Sequence, residues 1–167
     1  RGMAYLGKGN ADDAKKELNI LKKIASKEAL KEITVWEINS VYELVQIAYK
    51  VLNSEILAQE KNFKESITLL NEAIVMEDAL NYNEPPDWFF SVRHNLGATQ
   101  LDAGQYRDAV STYQQDLKKK KKNGWALKGL SMAYSKLGDL SNQNETENRF
   151  NEAWKTADIE LNLSVVK

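Results

Sequence analysis

His94 is the only histidine in a chain of 167 residues that contains no cysteine. Zinc sites are built largely from Cys and His ligands, and thiolate chemistry needs Cys, so the sequence predicts neither. General-base catalysis by His94 would need a nucleophile or an orienting carboxylate beside it, and the sequence identifies none. The chain also lacks a P-loop, a GxGxxG fingerprint, a GxSxG elbow and an HExxH helix. We therefore expect no catalytic residue, no metal and no cofactor.

The charges nearly balance, with 23 Lys+Arg against 24 Asp+Glu, which gives no overall bias towards nucleic acid. One strongly basic stretch, residues 118–122, consists of five lysines (Lys118 to Lys122) and precedes the turn at Asn123 and Gly124. Lysines complement the C-terminus of a helix and keep a surface soluble, which is our interpretation of this run. An anionic partner is the alternative. No aromatic residues are interleaved with the lysines, which disfavours nucleic acid as that partner.

Helices must position these residues, because only eight Gly and two adjacent Pro interrupt the chain. Three segments share a turn that leads into a helix carrying a small residue, and their turns lie at Gly9, Lys61 and Gly104. A fourth segment begins in the same way at Gly138 and then diverges. Gly104 and Gly138 are 34 residues apart, which is the period of tetratricopeptide repeats (TPRs).

The residues around these turns resemble the TPR pattern, in which small side chains let paired helices approach and larger ones fill the space between them. The third segment supplies Leu96, Gly97, Ala109 and Tyr113; the fourth supplies Leu127, Leu130, Ser131 and Tyr134; the first supplies Gly2, Tyr5, Ala14 and Leu18; and the degenerate second supplies Ser54, Leu57, Ser66 and Leu70.

Further stretches, such as residues 84–88 and 123–127, resemble the C-terminal region of larger bacterial TPR proteins, a group with no well-defined biochemical activity. The resemblance implies an all-α, right-handed TPR-like superhelix of about four helical hairpins. It also implies a non-catalytic scaffold that binds a protein or peptide in the concave groove formed by the first helices.

The predicted organisation is a single solenoid. Ser40 and Glu43 are spaced as a capping box that starts a long helix, Asp87 is placed as the N-cap of a helix at Trp88, and the tail is expected to pack extended over the last helix. The predicted parts are a truncated repeat 1 (1–25), an irregular insert (26–39), a degenerate repeat 2 (40–77), a Pro-containing linker (78–87), repeat 3 (88–122), repeat 4 with a capping helix (123–157) and a C-terminal tail (158–167).

The groove-facing stripe of the first helices gives the candidate peptide-binding residues: Val51, Glu55, His94, Ala98, Leu101, Trp125, Lys128, Met132 and Ser135. TPR domains that hold a C-terminal carboxylate carry Lys and Asn at set places on this face, and these places here hold Val51, Glu55, His94 and Ala98. A carboxylate clamp is therefore not predicted.

The repeat pattern also predicts the environment of several charged and aromatic residues at positions that should be buried. Arg93 and Asp116 occupy places that the pattern gives to large and small core residues, so they predict a partly buried ion pair. Each of Trp36, Trp88, Trp125 and Trp154 is expected in the core or as a wedge between repeats, with Trp125 the best candidate for ligand contact.

A structural role is the competing interpretation. Helical patterning begins at Arg1, so we expect this chain to be part of a longer protein, with possible contacts to preceding repeats. This region would then be the C-terminal cap of an array whose binding site lies elsewhere. No apolar run is long enough to predict a transmembrane segment, and the sequence leaves both the partner and the compartment open.

Overall fold

Eight α-helices follow one another through residues 1–165, the part of the chain that the structure, a computed structural model, describes. They are α1 (Gly2–Gly7), α2 (Ala11–Ala25), α3 (Val41–Gln59), α4 (Phe63–Ala79), α5 (Val92–Asp102), α6 (Tyr106–Lys119), α7 (Gly124–Leu137) and α8 (Leu140–Trp154). Successive helices such as α3 and α4, or α7 and α8, pack against each other. The expectation of an all-α chain of packed neighbouring helices is confirmed.

The described residues form two compact units, which we call unit 1 (residues 1–92) and unit 2 (residues 93–165). In unit 1, Ala14, Leu52 and Ile56 form a buried cluster that joins α2 to α3. In unit 2 the largest cluster comes from α6 and α7, and partly buried Phe150 and Ala153 of α8 pack against it.

The four turns that the sequence aligned have the same conformation. Gly9, Lys61, Gly104 and Gly138 have φ values of 73°, 66°, 75° and 73°, and each follows the last residues of a helix. The next amide in each case donates to a carbonyl five residues back, as in Asp139 to Tyr134, which is the bond of a Schellman motif. Glycine adopts this left-handed conformation without the Cβ penalty that Lys61 carries.

Seven residues before each turn, the first helix of the hairpin carries a small side chain: Gly2, Ser54, Gly97 or Ser131, and all four are buried. Five residues after the first three turns lie Ala14, Ser66 and Ala109, each fully buried. Gln143 takes the equivalent place after Gly138 and is only half-buried, which is where the fourth segment diverges. Small residues at these depths let the helices of a hairpin approach closely.

The segment predicted as an irregular insert contains regular structure. A 3₁₀-helix, Glu28–Lys31, precedes a two-stranded antiparallel ribbon of β1 (Thr34–Val35) and β2 (Asn39–Ser40). At its turn Trp36 and Glu37 both have positive φ. Trp36 is 80% exposed, so its predicted place in the core was wrong. The capping box of Ser40 and Glu43 at the start of α3 is confirmed.

Asn39 fixes this ribbon to the linker that follows α4. Its buried side-chain amide donates to the Asn81 carbonyl at 3.0 Å and to Asp87 Oδ2 at 2.7 Å, while its Oδ1 accepts from the Asn81 amide. Asp87 is therefore not the N-cap that the sequence predicted. Helix α5 starts later, at Val92, whose amide donates to Glu77 Oε2. The Glu84–Pro85 peptide bond in this linker is cis.

Tyr113 sets the packing of unit 2. Its fully buried ring extends from α6 and lies against Gly97 of α5 and Gly129 of α7. A Cβ added at Gly97 or Gly129 would lie 2.7 Å or 2.6 Å from the Tyr113 hydroxyl and closer still to ring carbons. The two glycines therefore form the slot that the tyrosine fills.

Substituting Gly129 by Ala tests this slot. The added methyl group overlaps a buried ring that cannot move aside, so we expect Gly129→Ala to lower the free energy of unfolding by about 1–3 kcal/mol in urea denaturation. Ser135→Ala, at an exposed position of the same helix, is the matched control and should change stability little. In a Tyr113→Leu background, Gly129→Ala should lower the free energy of unfolding by less than it does in the native protein. If the decrease is the same in both backgrounds, the Tyr113 ring does not occupy a slot formed by Gly129.

Candidate functional site

Unit 1 contains a cavity of about 330 Å³ beside the predicted groove stripe of α3. Val51 of that stripe and Ala48, three residues before it on α3, form part of the cavity wall. The opposite wall is apolar and belongs to α1 and α2, where Met3, Ile20 and Ile24 are 39%, 53% and 37% exposed. The cavity is large enough for one or two apolar side chains. Glu55, the other predicted residue of this stripe, is half-buried and is not among the residues lining the cavity.

The indole of Trp88 also lines this cavity. Its Nε1 is buried and has no hydrogen-bond partner among the described residues. A buried N–H that lacks a partner costs roughly 1–3 kcal/mol. The unit 1 cavity thus combines an apolar wall with one unused hydrogen-bond donor.

A buried polar cluster joins three helices in unit 2. His94 comes from α5, Asp116 from α6, and Asn123 is the N-cap of α7, where its Oδ1 accepts from the Trp125 amide. The Asn123 side-chain nitrogen lies 2.7 Å from Asp116 Oδ2 and 2.7 Å from His94 Nε2. His94 Nε2 is 3.4 Å from the same carboxylate oxygen. His94 and Asp116 are each 2% exposed.

This geometry orients the Asn123 amide. The Asn123 oxygen accepts from the Trp125 amide in the α7 cap, so the side-chain nitrogen faces His94 and Asp116 and donates to Asp116. The cluster fixes three helices relative to one another.

Arg93 and Asp116 are both buried, with 7% and 2% exposure, which agrees with the burial that the sequence predicted for them. Asp116 accepts from Asn123 as described. The Arg93–Asp116 ion pair itself stays a prediction.

The predicted stripe of α7 lies largely against α8. Trp125 packs edge to face on Trp154, with ring centroids 6.2 Å apart, and the Lys128 ammonium lies 5.5 Å from the centroid of the Phe150 ring. Met132 is half-buried and Ser135 is exposed. Trp125 and Lys128 therefore contribute to packing within the last hairpin, as the structural interpretation of the tryptophans predicted.

On α5, His94 and Ala98 are buried and Leu101 packs against the unit 2 core. The predicted candidates thus do not form one exposed surface within either unit. Val51 borders a cavity, His94 belongs to a polar cluster, and Trp125 and Lys128 of α7 pack against α8.

The lysines of residues 118–122 are exposed at the end of α6, and Lys118 and Lys119 lie in its last turn, as expected for a helix C-terminus.

The C-terminal tail crosses unit 2 differently from the prediction. It begins beside α8, where Trp154 Nε1 donates to the Ile159 carbonyl. It then reaches Tyr113, whose hydroxyl lies 2.6 Å from Ser164 Oγ, and Ser164 is 2% exposed. Leu161 and Val165 are buried, whereas Ile159 and Leu163 are exposed. The tail therefore does not simply extend over the last helix. Residues 166 and 167 lie outside the described part.

Burial raises the pKa of the Tyr113 hydroxyl well above its ordinary value, although the hydrogen bond with Ser164 opposes the shift. The phenol therefore stays protonated throughout the physiological range and can donate a hydrogen bond. Sequence reasoning assigned Tyr113 to the core but missed its polar role, because Ser164 is 51 residues away in the chain.

Sequence reasoning also did not predict that three aromatic side chains in or near the linker would be exposed. Trp36, Tyr82 and Phe89 are each at least 80% exposed.

Within the described residues no group of acidic, His or Cys side chains is arranged to hold a metal ion. None of the helices among residues 1–165 is both long and apolar enough to cross a membrane.

The chain matches no protein-family model, and no curated protein is significantly similar to it.

The polar cluster can be tested with Asn123→Asp, which keeps an N-cap oxygen but removes both donors. The new carboxylate would face Asp116, so we expect the free energy of unfolding to fall by about 3 kcal/mol at pH 7. The repulsion raises the folded-state pKa of one carboxyl above its unfolded value. The loss is therefore complete at pH 7 and decreases as the pH falls and that carboxyl gains a proton. Urea denaturation at pH 7 and pH 5 measures both effects.

Asp139→Asn is the matched control for this exchange. Asp139 is the N-cap of α8, it accepts from the Asn142 amide at 3.1 Å, and an Asn oxygen can accept the same bond. It should change stability little. If Asn123→Asp behaves like this control, or if its effect is the same at both pH values, the cluster does not hold the three helices as described.

Proposed function

We propose that the protein is a non-catalytic scaffold that binds another protein or a peptide, and that its hairpins form a right-handed, TPR-like superhelix. The repeated Schellman turns and the buried small residues at fixed distances from them support the superhelix. A TPR superhelix recognises ligands through the side chains of its first helices, which form pockets along an extended or helical segment.

The unit 1 cavity is the observation that carries this function. It lies on the stripe of α3 that the repeat pattern assigns to ligand contact, and its walls are apolar except for the charged side chains of Arg1 and Glu17 at its edge and the indole N–H of Trp88. Arg1 and Glu17 pair with each other at 3.2 Å. The ligand that fits is a peptide with an aliphatic or aromatic anchor and a carbonyl oxygen placed to accept from Trp88 Nε1.

A second candidate is the structural role, in which this region ends a longer helical array. The same cavity favours it, because an apolar face formed by Met3, Ile20 and Ile24 is also what a neighbouring helix would cover. The two functions differ in whether a free peptide binds the cavity with useful affinity.

Selection from a displayed library of random peptides, followed by titration of the selected peptides, tests the binding function. The selected peptides should share one apolar anchor, and Ala48→Trp, which fills the cavity, should weaken their binding at least tenfold. In a ¹⁵N-labelled sample the indole N–H signal of Trp88, assigned from Trp88→Phe, should shift on binding because that group gains an acceptor.

Val75→Trp is the matched control. It adds the same side chain on α4 at a position that is 70% exposed and does not line the cavity, so peptide affinity should not change. Thermal unfolding of both variants checks that each remains folded. Failure to select any peptide would leave the structural role as the function of this region, and equal affinity for Ala48→Trp and native protein would show that the peptides bind outside the cavity.

A further inference from the structure

The tail of unit 2 makes a contact of the kind that a bound peptide makes. Through residue 165 the tail has no helix or strand, and buried and exposed side chains follow one another without a regular period. Leu161, Ser164 and Val165 are 6%, 2% and 4% exposed, while Asn162 is exposed and Leu163 is 39% exposed. A few buried anchors separated by exposed residues are typical of a peptide on a helical surface.

The position of Tyr113 shows where this surface lies. The tyrosine starts on α6, and its ring passes between Gly97 of α5 and Gly129 of α7. The hydroxyl at the far end of the ring meets Ser164. Ser164 of the tail therefore lies beside α5 and α7, at the end of the ring that is farthest from the α6 backbone. In a helical hairpin repeat α5 and α7 are first helices, to which the proposed function assigns ligands.

The contact also has a chemical requirement. The Tyr113 hydroxyl is buried at the base of the seam between α5 and α7 and must have a hydrogen-bond partner, since a buried unpaired hydroxyl is costly. In the structure Ser164 supplies this partner. Any segment that replaces the tail must present a hydroxyl or a carbonyl at the same point.

We infer that the α5–α7 seam of unit 2 is a peptide-binding site occupied by the chain's own tail, and that its partner is a peptide carrying the tail's pattern. That pattern is an aliphatic residue, two residues without anchoring contacts, a Ser or Thr whose hydroxyl meets Tyr113, and a β-branched aliphatic residue. The tail is an intramolecular competitor that such a partner must displace. This inference rests on the proposed function and concerns a different unit from the cavity.

A peptide in trans tests the inference with the full chain. The probe is a fluorescein-labelled synthetic peptide with the sequence of residues 158–167, titrated by fluorescence anisotropy. The receptor is a full-length variant in which Leu161→Asp and Val165→Asp release the tail. A short tether holds the native tail at an effective concentration on the order of millimolar. We therefore expect the peptide to bind the released variant at least tenfold more tightly than the native chain.

Variants of the probe and receptor test the register. A peptide with Ser164→Ala should bind the released variant about fivefold to tenfold more weakly, because it leaves the Tyr113 hydroxyl unpaired. A peptide with Leu163→Ala is the matched control and should bind normally, since Leu163 is not among the buried anchors. With Tyr113→Phe in the receptor, the native and Ser164→Ala peptides should bind equally, because the bond that distinguishes them is gone.

The results separate a binding site from a fixed part of the core. If the released variant loses its helical circular dichroism, the tail is core structure and the inference is wrong. If it remains folded and does not bind the peptide, or if native chain and variant bind it equally, the inference is also wrong. If the library peptides lose affinity in Ala48→Trp and the tail peptide does not bind, the proposed function stands and the unit 2 site is rejected. If the tail peptide binds and Ala48→Trp has no effect on the library peptides, the binding site lies in unit 2 and not in unit 1.

Discussion

The Tyr113 side chain determines how closely α5, α6 and α7 approach one another in unit 2. Its ring fills a slot that exists only because Gly97 and Gly129 have no side chains, and its hydroxyl is buried with a single identified partner, Ser164. A large ring between two glycines fixes both the distance and the register of the helices, because any sliding would bring the ring against a backbone with no space for it. The path of the tail depends on the same side chain, since the hydroxyl selects the point at which Ser164 is held.

The second constraint in unit 2 is the polar cluster of His94, Asp116 and Asn123, which lies about one helical turn from Gly97 on α5 and from Tyr113 on α6. The Asn123 side chain makes three contacts at once: its oxygen caps α7, and its nitrogen donates to Asp116 and lies 2.7 Å from His94 Nε2. His94 and Asp116 are buried and Asn123 is half-buried, so an alternative packing that separated them would break hydrogen bonds of buried groups at a cost of several kcal/mol. Apolar packing alone tolerates small shifts between helices, whereas a buried donor and acceptor 2.7 Å apart do not. The cluster and the tyrosine therefore specify one arrangement of α5, α6 and α7.

The features that the sequence predicted correctly are local ones. The turns at Gly9, Gly104 and Gly138 and the capping box of Ser40 depend on residues within about one helical turn, and the small buried residues lie at fixed distances from those turns. The features that it missed depend on contacts between distant segments. Asn39 meets Asp87 at a separation of 48 residues, and this contact removes Asp87 from its predicted cap. The groove stripe was placed by helical periodicity, which cannot show that Lys128 would extend over Phe150 of the following helix.

Each unit has a buried hydrogen-bond donor beside an apolar helical surface, and the two donors differ in whether a described residue pairs with them. In unit 1 the face of α3 borders an apolar cavity, and the Trp88 indole N–H beside it has no partner among the described residues. In unit 2 the hydroxyl between α5 and α7 is paired, and the partner is a tail segment with aliphatic anchors on either side. A buried donor favours whichever segment brings an acceptor together with enough apolar surface to exclude water. The tail satisfies both conditions in unit 2, whereas no described residue of unit 1 brings an acceptor to the Trp88 N–H.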